Sequence, residues 1–333
     1  MASKVARAAS AWITCSASEV VAPFTSCWVI TDGKAGMESQ CLGLAEALSL
    51  DPTIKRIGLR EPWRRFAPHL RLGLRHALTG DPLAPPWPHL VIATGRISVP
   101  GSLYVRRMNP RTRNVQIQNP GISPRYFDLV VTPIHDLLGG ANVIHTIGAL
   151  HRVTEERLMR EAALLASRIG EQPRPRIGVL IGGGNAAYRF AADDARTLAA
   201  ELARNAAESG ASLLVTTSRR TGTENLEILR AALADTRAFV WDGTGDNPYY
   251  GILGLADVLV VTADSVNMIT EACATGRPVY IYGLPGGSEK FARFHEALTL
   301  RGYAQFYQGS LESFLSDRLD EMPRIVRAVR QIA

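Results

Sequence analysis

The stretch Thr262-Ala263-Asp264-Ser265-Val266-Asn267-Met268-Ile269-Thr270-Glu271 follows the apolar run Val258-Leu259-Val260-Val261. Four apolar residues without alternation read as a strand buried on both faces. The polar residues that follow read as a turn, and helical spacing resumes from Val266 to Ala274. Strand, polar turn and helix make half of a βαβ unit, with a helix N-terminus at the carboxyl end of a strand. Free backbone N–H groups and the helix macrodipole attract an anion there. Ser265 and Asn267 can add donors to a diphosphate, and Met268 is grouped with them as a nucleotide contact. Glu271 lies one to two turns in, where a carboxylate can take two ribose hydroxyls. Asp264 reads either as part of this set or as the helix N-cap.

The same grammar repeats outward. Arg176–Ile181 reads as a strand and runs into Gly182-Gly183-Gly184. Ser212–Thr216 runs into Ser218-Arg219-Arg220-Thr221, and Ala238–Trp241 into the polar loop Asp242–Tyr249; Pro278–Tyr282 is a further strand. Helices are expected at Ala192–Ser209, Asn225–Leu233 and Tyr250–Ala256. Gly183 and Gly184 can bring backbone N–H groups against a phosphate, although the run has neither a P-loop lysine nor a G-x-G-x-x-G pattern. A tight turn is the other reading. Ser218, Arg219 and Arg220 form an anion clamp or a solvated charge pair opening a helix. The loop carrying Asn247 contacts a base, closes a cleft, or is a structural turn.

The N-terminal half also alternates. Trp28–Thr31 is a strand, Asp32-Gly33-Lys34-Ala35-Gly36 a turn, and Glu38–Leu48 a helix. Further strands are expected at Thr53–Leu59, Pro88–Ala93 (closed by the turn Thr94-Gly95-Arg96), Asn114–Gln118, Leu129–Thr132 and Ile144–Ile147. Thr154–Ile169 is an amphipathic helix with Thr154 as its N-cap, and a Pro-containing linker at 171–175 follows. The chain is therefore expected to be α/β, with two Rossmann-like domains at 27–150 and 176–285. A helix and linker at 151–175 separate them, 286–333 forms C-terminal helices, and 1–26 is a tail. Ligands of open parallel sheets bind beyond the carboxyl ends of the strands. Asp32 and Lys34, with Gln40, are candidates for holding an acceptor or a diphosphate from the opposite wall. His135 with Asp136 is a candidate general base or a structural pair.

Composition narrows the classes. The chain has 333 residues, of which 46% are apolar, enough for two cores. The net charge of +6, carried mostly by arginine, favours anionic partners; a GC-rich coding sequence produces the same arginine excess. No helix-turn-helix or aromatic RNA-reading signature is present, so no nucleic-acid partner is expected. No apolar stretch has the length of a membrane span. Cys15, Cys27, Cys41 and Cys273 form no C-x-x-C pair or zinc spacing, and the carboxylates form no metal cluster. A reducing, cytoplasmic compartment is expected. The Ala- and Ser-rich residues 1–26 read as a disordered tail, with a transit peptide as the alternative. The stretch from Arg60 to Arg75 interleaves Arg64, Arg65 and Arg71 with Trp63, Phe66 and Leu70, either a peripheral contact to an anionic membrane surface or a helix packed on its own domain.

The strings Trp28–Leu48, the Gly95-Arg96 turn, Gln116–Pro120, Phe127–Asp136, Asn142–Val153, Ser218–Thr221, Trp241–Tyr249 and Thr262–Val279 resemble the mitochondrial fission "elongate mitochondria" family, over about residues 27–285. That family in turn resembles GT-B glycosyltransferases. The resemblance implies two domains facing a central cleft, with a C-terminal helix returning to the first from within Phe291–Arg301 and Phe314–Ile332. It implies a metal-independent transferase with a nucleotide-diphosphate sugar as donor substrate, no permanently bound cofactor, and Glu271 on the ribose. It also implies the alternative of a non-catalytic membrane-surface adaptor that recruits a dynamin-like partner.

Overall fold

The computed structural model describes residues 24–69 and 73–333. Most of the expected tail, residues 70–72 of the basic stretch and the side chain of Arg75 lie outside the described residues. Residues 24–26, grouped above with the tail, belong to the folded chain. Phe24 is buried in the first core and Ser26 Oγ accepts from the His89 backbone N–H at 3.1 Å.

The first half contains β1 (Cys27–Thr31), α1 (Ala35–Ala47), β2 (Thr53–Leu59), α2 (Trp63–Phe66), α3 (Leu74–Ala77), β3 (Leu78–Gly80), β4 (Leu90–Thr94), α4 (Gly95–Met108), β5 (Arg113–Ile117), β6 (Leu129–Pro133) and β7 (Val143–Thr146). After α5 (Glu155–Ile169) the pattern restarts with β8 (Arg176–Ile181), α6 (Ala192–Ser209), β9 (Ser212–Thr217), α7 (Thr223–Ala232), β10 (Ala238–Val240), α8 (Tyr249–Leu255), β11 (Val258–Thr262), α9 (Val266–Cys273) and β12 (Val279–Tyr282). It closes with α10 (Glu289–Thr299), β13 (Gln305–Phe306) and α11 (Met322–Gln331).

The sheets have the orders β3-β2-β1-β4-β5-β6-β7 and β10-β9-β8-β11-β12-β13. Every pairing is parallel except that of β3 with β2. In each sheet the chain winds outward from a central strand and then returns to that strand's other side. The order reverses between β1 and β4 and between β8 and β11, and the crevice beyond such a reversal is where open α/β sheets bind ligands.

The central strands β1 and β4 are buried at every position, which explains their unbroken apolar composition. On one face of the first sheet, Cys41 and Leu44 of α1 and Ile325 and Val329 of α11 pack with Val29 and Ile92. On the other face, Val105 of α4 meets Ile30 and Val91. The second core joins Leu198 and Leu202 of α6, Ile252 of α8, Ile269 of α9 and Phe294 of α10.

Three expectations change. The turn Thr94-Gly95-Arg96 opens the 14-residue helix α4, concealed in sequence by Pro100 and Gly101. Its buried side mixes small residues with apolar ones: Ser98, Gly101 and Ser102 are buried beside Val99 and Val105, and Ser98 Oγ donates to Thr94 O at 2.6 Å. The basic stretch contains two helices of four residues each, not one amphipathic face. The returning helix is α11, with Pro323 in its first turn, where a missing N–H costs nothing. α10 remains with the second core.

Because α11 closes one face of the first sheet, Ile325→Ala is expected to destabilise the protein by about 2–5 kcal/mol, measured by chemical denaturation. The exposed neighbour Arg327→Ala should change stability by less than about 0.5 kcal/mol.

Candidate functional site

Three strand-end turns of the second sheet are fastened together. Gly182 N–H donates to Thr262 Oγ1 at 2.8 Å, joining the end of β8 to the end of β11. Ser218 Oγ donates to Gly182 O, and Thr221 Oγ1 donates to the same carbonyl at 3.0 Å, bringing in the end of β9. Arg220 Nη2 lies 2.8 Å from Asp264 Oδ2, and Thr262 Oγ1 donates to Asp264 Oδ1 at 2.6 Å. The Asp264 side chain is fully buried; burial raises its carboxyl pKa, partly opposed by Thr262 and Arg220. Such a carboxylate is tolerated only with partners of this kind.

The glycine run serves this junction. A Cβ on Gly182 would overlap the Asp264 carboxylate, and one on Gly183, whose φ is +118°, would overlap the Arg220 carbonyl. Gly183 and Gly184 were expected to cradle a phosphate; neither lines the cleft. Asp264 is likewise a structural anchor. Ser265 is the N-cap of α9, its hydroxyl accepting from Met268 N–H at 3.3 Å.

In front of the junction opens a cleft of about 880 Å³. Ser218, Arg219, Arg220 and Asn247 line it from β9 and the β10–α8 loop, and Ser265, Asn267, Met268 and Glu271 from the α9 segment. Lys34, Gly36, Met37, Ser39, Gln40 and Gln118 contribute to the wall formed by the first domain. Arg219 is exposed and has no ion-pair partner among the described residues. Glu271 is 7% exposed and accepts from Tyr249 Oη at 2.6 Å. Burial raises its pKa to about 7, against the opposing pull of the Tyr249 and Tyr250 hydroxyls and of Arg152 and Arg157.

The N-termini of α1 and α9 meet across the cleft. Asn267 Nδ2 donates to Gly36 O at 2.9 Å, and Gln40 Nε2 donates to Asn267 Oδ1 at 3.1 Å. A Cβ on Gly36 would overlap the Asn267 amide. Asn267, expected to donate to a diphosphate, thus has its amide committed to the first domain.

The first-domain candidates separate. Lys34 lines the cleft, whereas Asp32 stands behind it as its ion-pair partner at 2.6 Å. His135 is buried outside the cleft lining, against Phe294 of α10 at a ring separation of 5.3 Å. Burial lowers its pKa to about 4, and Asp136 is paired with Lys290 at 2.6 Å. The His135–Asp136 pair therefore belongs to a contact with α10 and not to the cleft expected of a general base.

Against this geometry the comparisons are informative. The family model described as mitochondrial fission ELM1 matches residues 35–332. The chain belongs to the mitochondrial fission ELM1 family. It is 32% identical over 247 residues to the mitochondrial fission protein ELM1 of Arabidopsis thaliana, covering 67% of this chain and 58% of that protein. The chain thus spans less than two thirds of that relative's length.

Among solved structures, the glycosyltransferase SnogD from Streptomyces nogalater aligns at 15% identity with a TM-score of 0.51, covering 92% of this chain and 94% of that one. The UDP-GlcNAc 2-epimerase of Neisseria meningitidis, bound to UDP-GlcNAc, aligns at 11% identity with a TM-score of 0.50, covering 92% and 91%. At these identities the likeness is one of fold: this ELM1-family chain has the GT-B architecture of two Rossmann-like domains around a cleft.

Two supporting contacts were not read from sequence. Tyr249, counted only as the end of a polar loop, orients Glu271. His295 pairs through Nε2 with Ala263 O at 3.0 Å and so supports the 262–265 turn from below. Neither carries a local signal, because its partner lies 22 or 32 positions away.

The packing role of the glycines is testable. Gly182→Ala and Gly183→Ala are expected to destabilise the protein by about 1–3 kcal/mol in chemical denaturation. Gly184→Ala, whose Cβ would meet only ordinary contacts beyond 3.6 Å, should stay within about 0.5 kcal/mol of the parent.

Proposed function

We propose that this protein is a GT-B-type glycosyltransferase that transfers a sugar from a nucleoside-diphosphate sugar to an acceptor held on the first-domain wall. The observation that carries the reading is Glu271. A buried carboxylate faces the cleft from the helix whose N-terminus opens onto the same space. A carboxyl kept this far from water, with one oxygen already held by Tyr249, is suited to take a pair of vicinal hydroxyls. The α9 N-terminus and the unpaired Arg219 are suited to the diphosphate, where they would stabilise the charge that develops on the leaving group. Of the residues considered for acceptor chemistry Lys34 and Gln40 line the cleft; the Gln40 amide is committed to Asn267, so Lys34 is assigned to the acceptor, with Asp32 as its counter-ion.

Thermal unfolding against a panel of nucleoside diphosphates and their sugars tests this reading. A ligand at about 100 times its Kd adds about 2.7 kcal/mol of stability; Glu271→Ala should remove that shift, and no shift from any nucleotide would sink the proposal. The pH dependence has a definite sign. The free carboxyl has its pKa raised to about 7, and hydroxyl donors favour its charged form. Binding should therefore release a proton below about pH 7, and affinity should rise with pH to a plateau. Titration with an intact nucleotide sugar, whose phosphates do not titrate in this range, reads this directly. Glu271→Gln should flatten the profile.

Of a second reading, a membrane-surface adaptor, one surface feature favours the membrane contact alone. Phe66 on α2 is 54% exposed beside Arg64 and Arg65. Flotation with anionic liposomes should be lost in the triple variant Arg64→Glu, Arg65→Glu, Phe66→Ser if this surface binds lipid. Equal flotation of parent and variant would remove the support.

A further inference from the structure

The loop between β10 and α8 ends in a side chain whose orientation is set from beneath. Thr216, near the end of β9, is fully buried, and its hydroxyl lies 2.9 Å from Asn247 Oδ1, its one side-chain partner among the described residues. A buried hydroxyl that fails to donate forfeits a hydrogen bond, so the hydroxyl donates and the amide oxygen accepts. The Asn247 amide is thereby turned with its two Nδ2 hydrogens away from Thr216. Asn247 is exposed and lines the cleft beside Thr217, Trp241 and Tyr249.

The surrounding loop is already ordered. Trp241 Nε1 donates to Thr244 O at 2.9 Å, and Asp242 Oδ1 accepts from Thr244 N and Oγ1 at 2.9 and 2.7 Å. The indole is thus pinned at the cleft edge, where a flat aromatic face can support a stacked base.

We propose that Asn247 reads the nucleobase of the donor, selecting an exocyclic carbonyl over an exocyclic amine. The inference rests on the nucleotide-sugar reading of the same cleft. An asparagine offering both its oxygen and its nitrogen pairs with adenine in a bidentate fashion. Thr216 takes the oxygen out of play and leaves a donor-only face. Uracil and guanine present a carbonyl where cytosine and adenine carry an amine. Opposite an amine, donor meets donor and both groups lose their partners.

The test is a set of dissociation constants for UDP, CDP, GDP and ADP with the parent protein, Asn247→Asp and Thr216→Val. UDP and CDP differ at the exocyclic group in question and in the hydrogen that uracil carries on the adjacent ring nitrogen, so Asn247→Asp, which exchanges donor for acceptor, ties the difference to this side chain. The carbonyl base of whichever pair binds more tightly should be preferred by about tenfold or more, as expected when a site built to hydrogen-bond one group meets another. Asn247→Asp replaces the donor with an acceptor and should cancel or invert the preference. Thr216→Val frees the amide to rotate and should narrow the preference while leaving affinity for inorganic pyrophosphate unchanged. A parent ratio near one, or a ratio unmoved by Asn247→Asp, overturns this inference while the nucleotide reading stands. Failure of all four nucleotides to bind overturns both. Asn247 is exposed, so its variant decides the matter even if Thr216→Val does not fold.

Discussion

The carboxylate of Asp264 has no access to water, and the shape of the second domain's ligand face follows from how that charge is accommodated. Arg220 reaches it from the end of β9, Thr262 donates to it from the end of β11, and Gly182 must lack a side chain to admit it from the end of β8. Three turns from three strands are thereby drawn to one point. Removing Arg220, itself 39% exposed, would leave a buried carboxylate without its counter-charge, at a cost of at most about 3–5 kcal/mol, a sizeable fraction of the roughly 5–15 kcal/mol that holds a domain folded. The same arrangement divides two adjacent arginines. Both line the cleft, but Arg220 is held by Asp264 as a structural cation, while its neighbour Arg219 has no ion-pair partner among the described residues.

This division shows where sequence reasoning succeeds. Strands such as β1, β8 and β11 are legible because burial on both faces demands unbroken apolar runs, and their ends are legible because the chain becomes polar where the sheet stops. The positions of Ser218, Arg219, Ser265 and Glu271 along one cleft follow from that rule. What each polar residue bonds to does not. Asp264 and Gly183 sit at a ligand face by sequence position, yet both turn inward to the junction behind it. Asn267 meets Gly36 231 positions away, and no local pattern carries such a contact. α4 is illegible for a different reason: serine, glycine and proline stand among Val99 and Val105 on its buried side, so the small residues that permit close packing on the sheet also imitate a loop. His135 looks catalytic beside Asp136, and only the position of α10 shows that the imidazole is enclosed.

The contact between the two domains is built from backbone approach as much as from side chains. Besides the α1–α9 meeting, Ala149 N–H donates to Thr270 Oγ1 at 3.1 Å; the returning segment is fixed to the first domain where Ile147 N–H donates to Glu321 Oε2 at 2.7 Å. Glu46 of α1 is held by Arg152 and Arg157, and Arg157 lies over the Tyr250 ring at 5.4 Å. Those arginines also help to lower the carboxyl pKa of Glu271. Electrostatics at the cleft are therefore coupled to the packing of α1 against the connecting segment, and a shift of one domain would be felt as a change in the charge state of the other.

The return of α11 to the first sheet means that the polypeptide passes between the halves twice, once before α5 and once before α11. A single strap would let two lobes swivel and separate freely. Two straps, together with the Asn267–Gly36 hydrogen bond and the Lys290–Asp136 ion pair, fasten the lobes at several separated points. The cavity between them is thereby held with one cation on each wall, Lys34 tethered to Asp32 and Arg219 unpaired among the described residues.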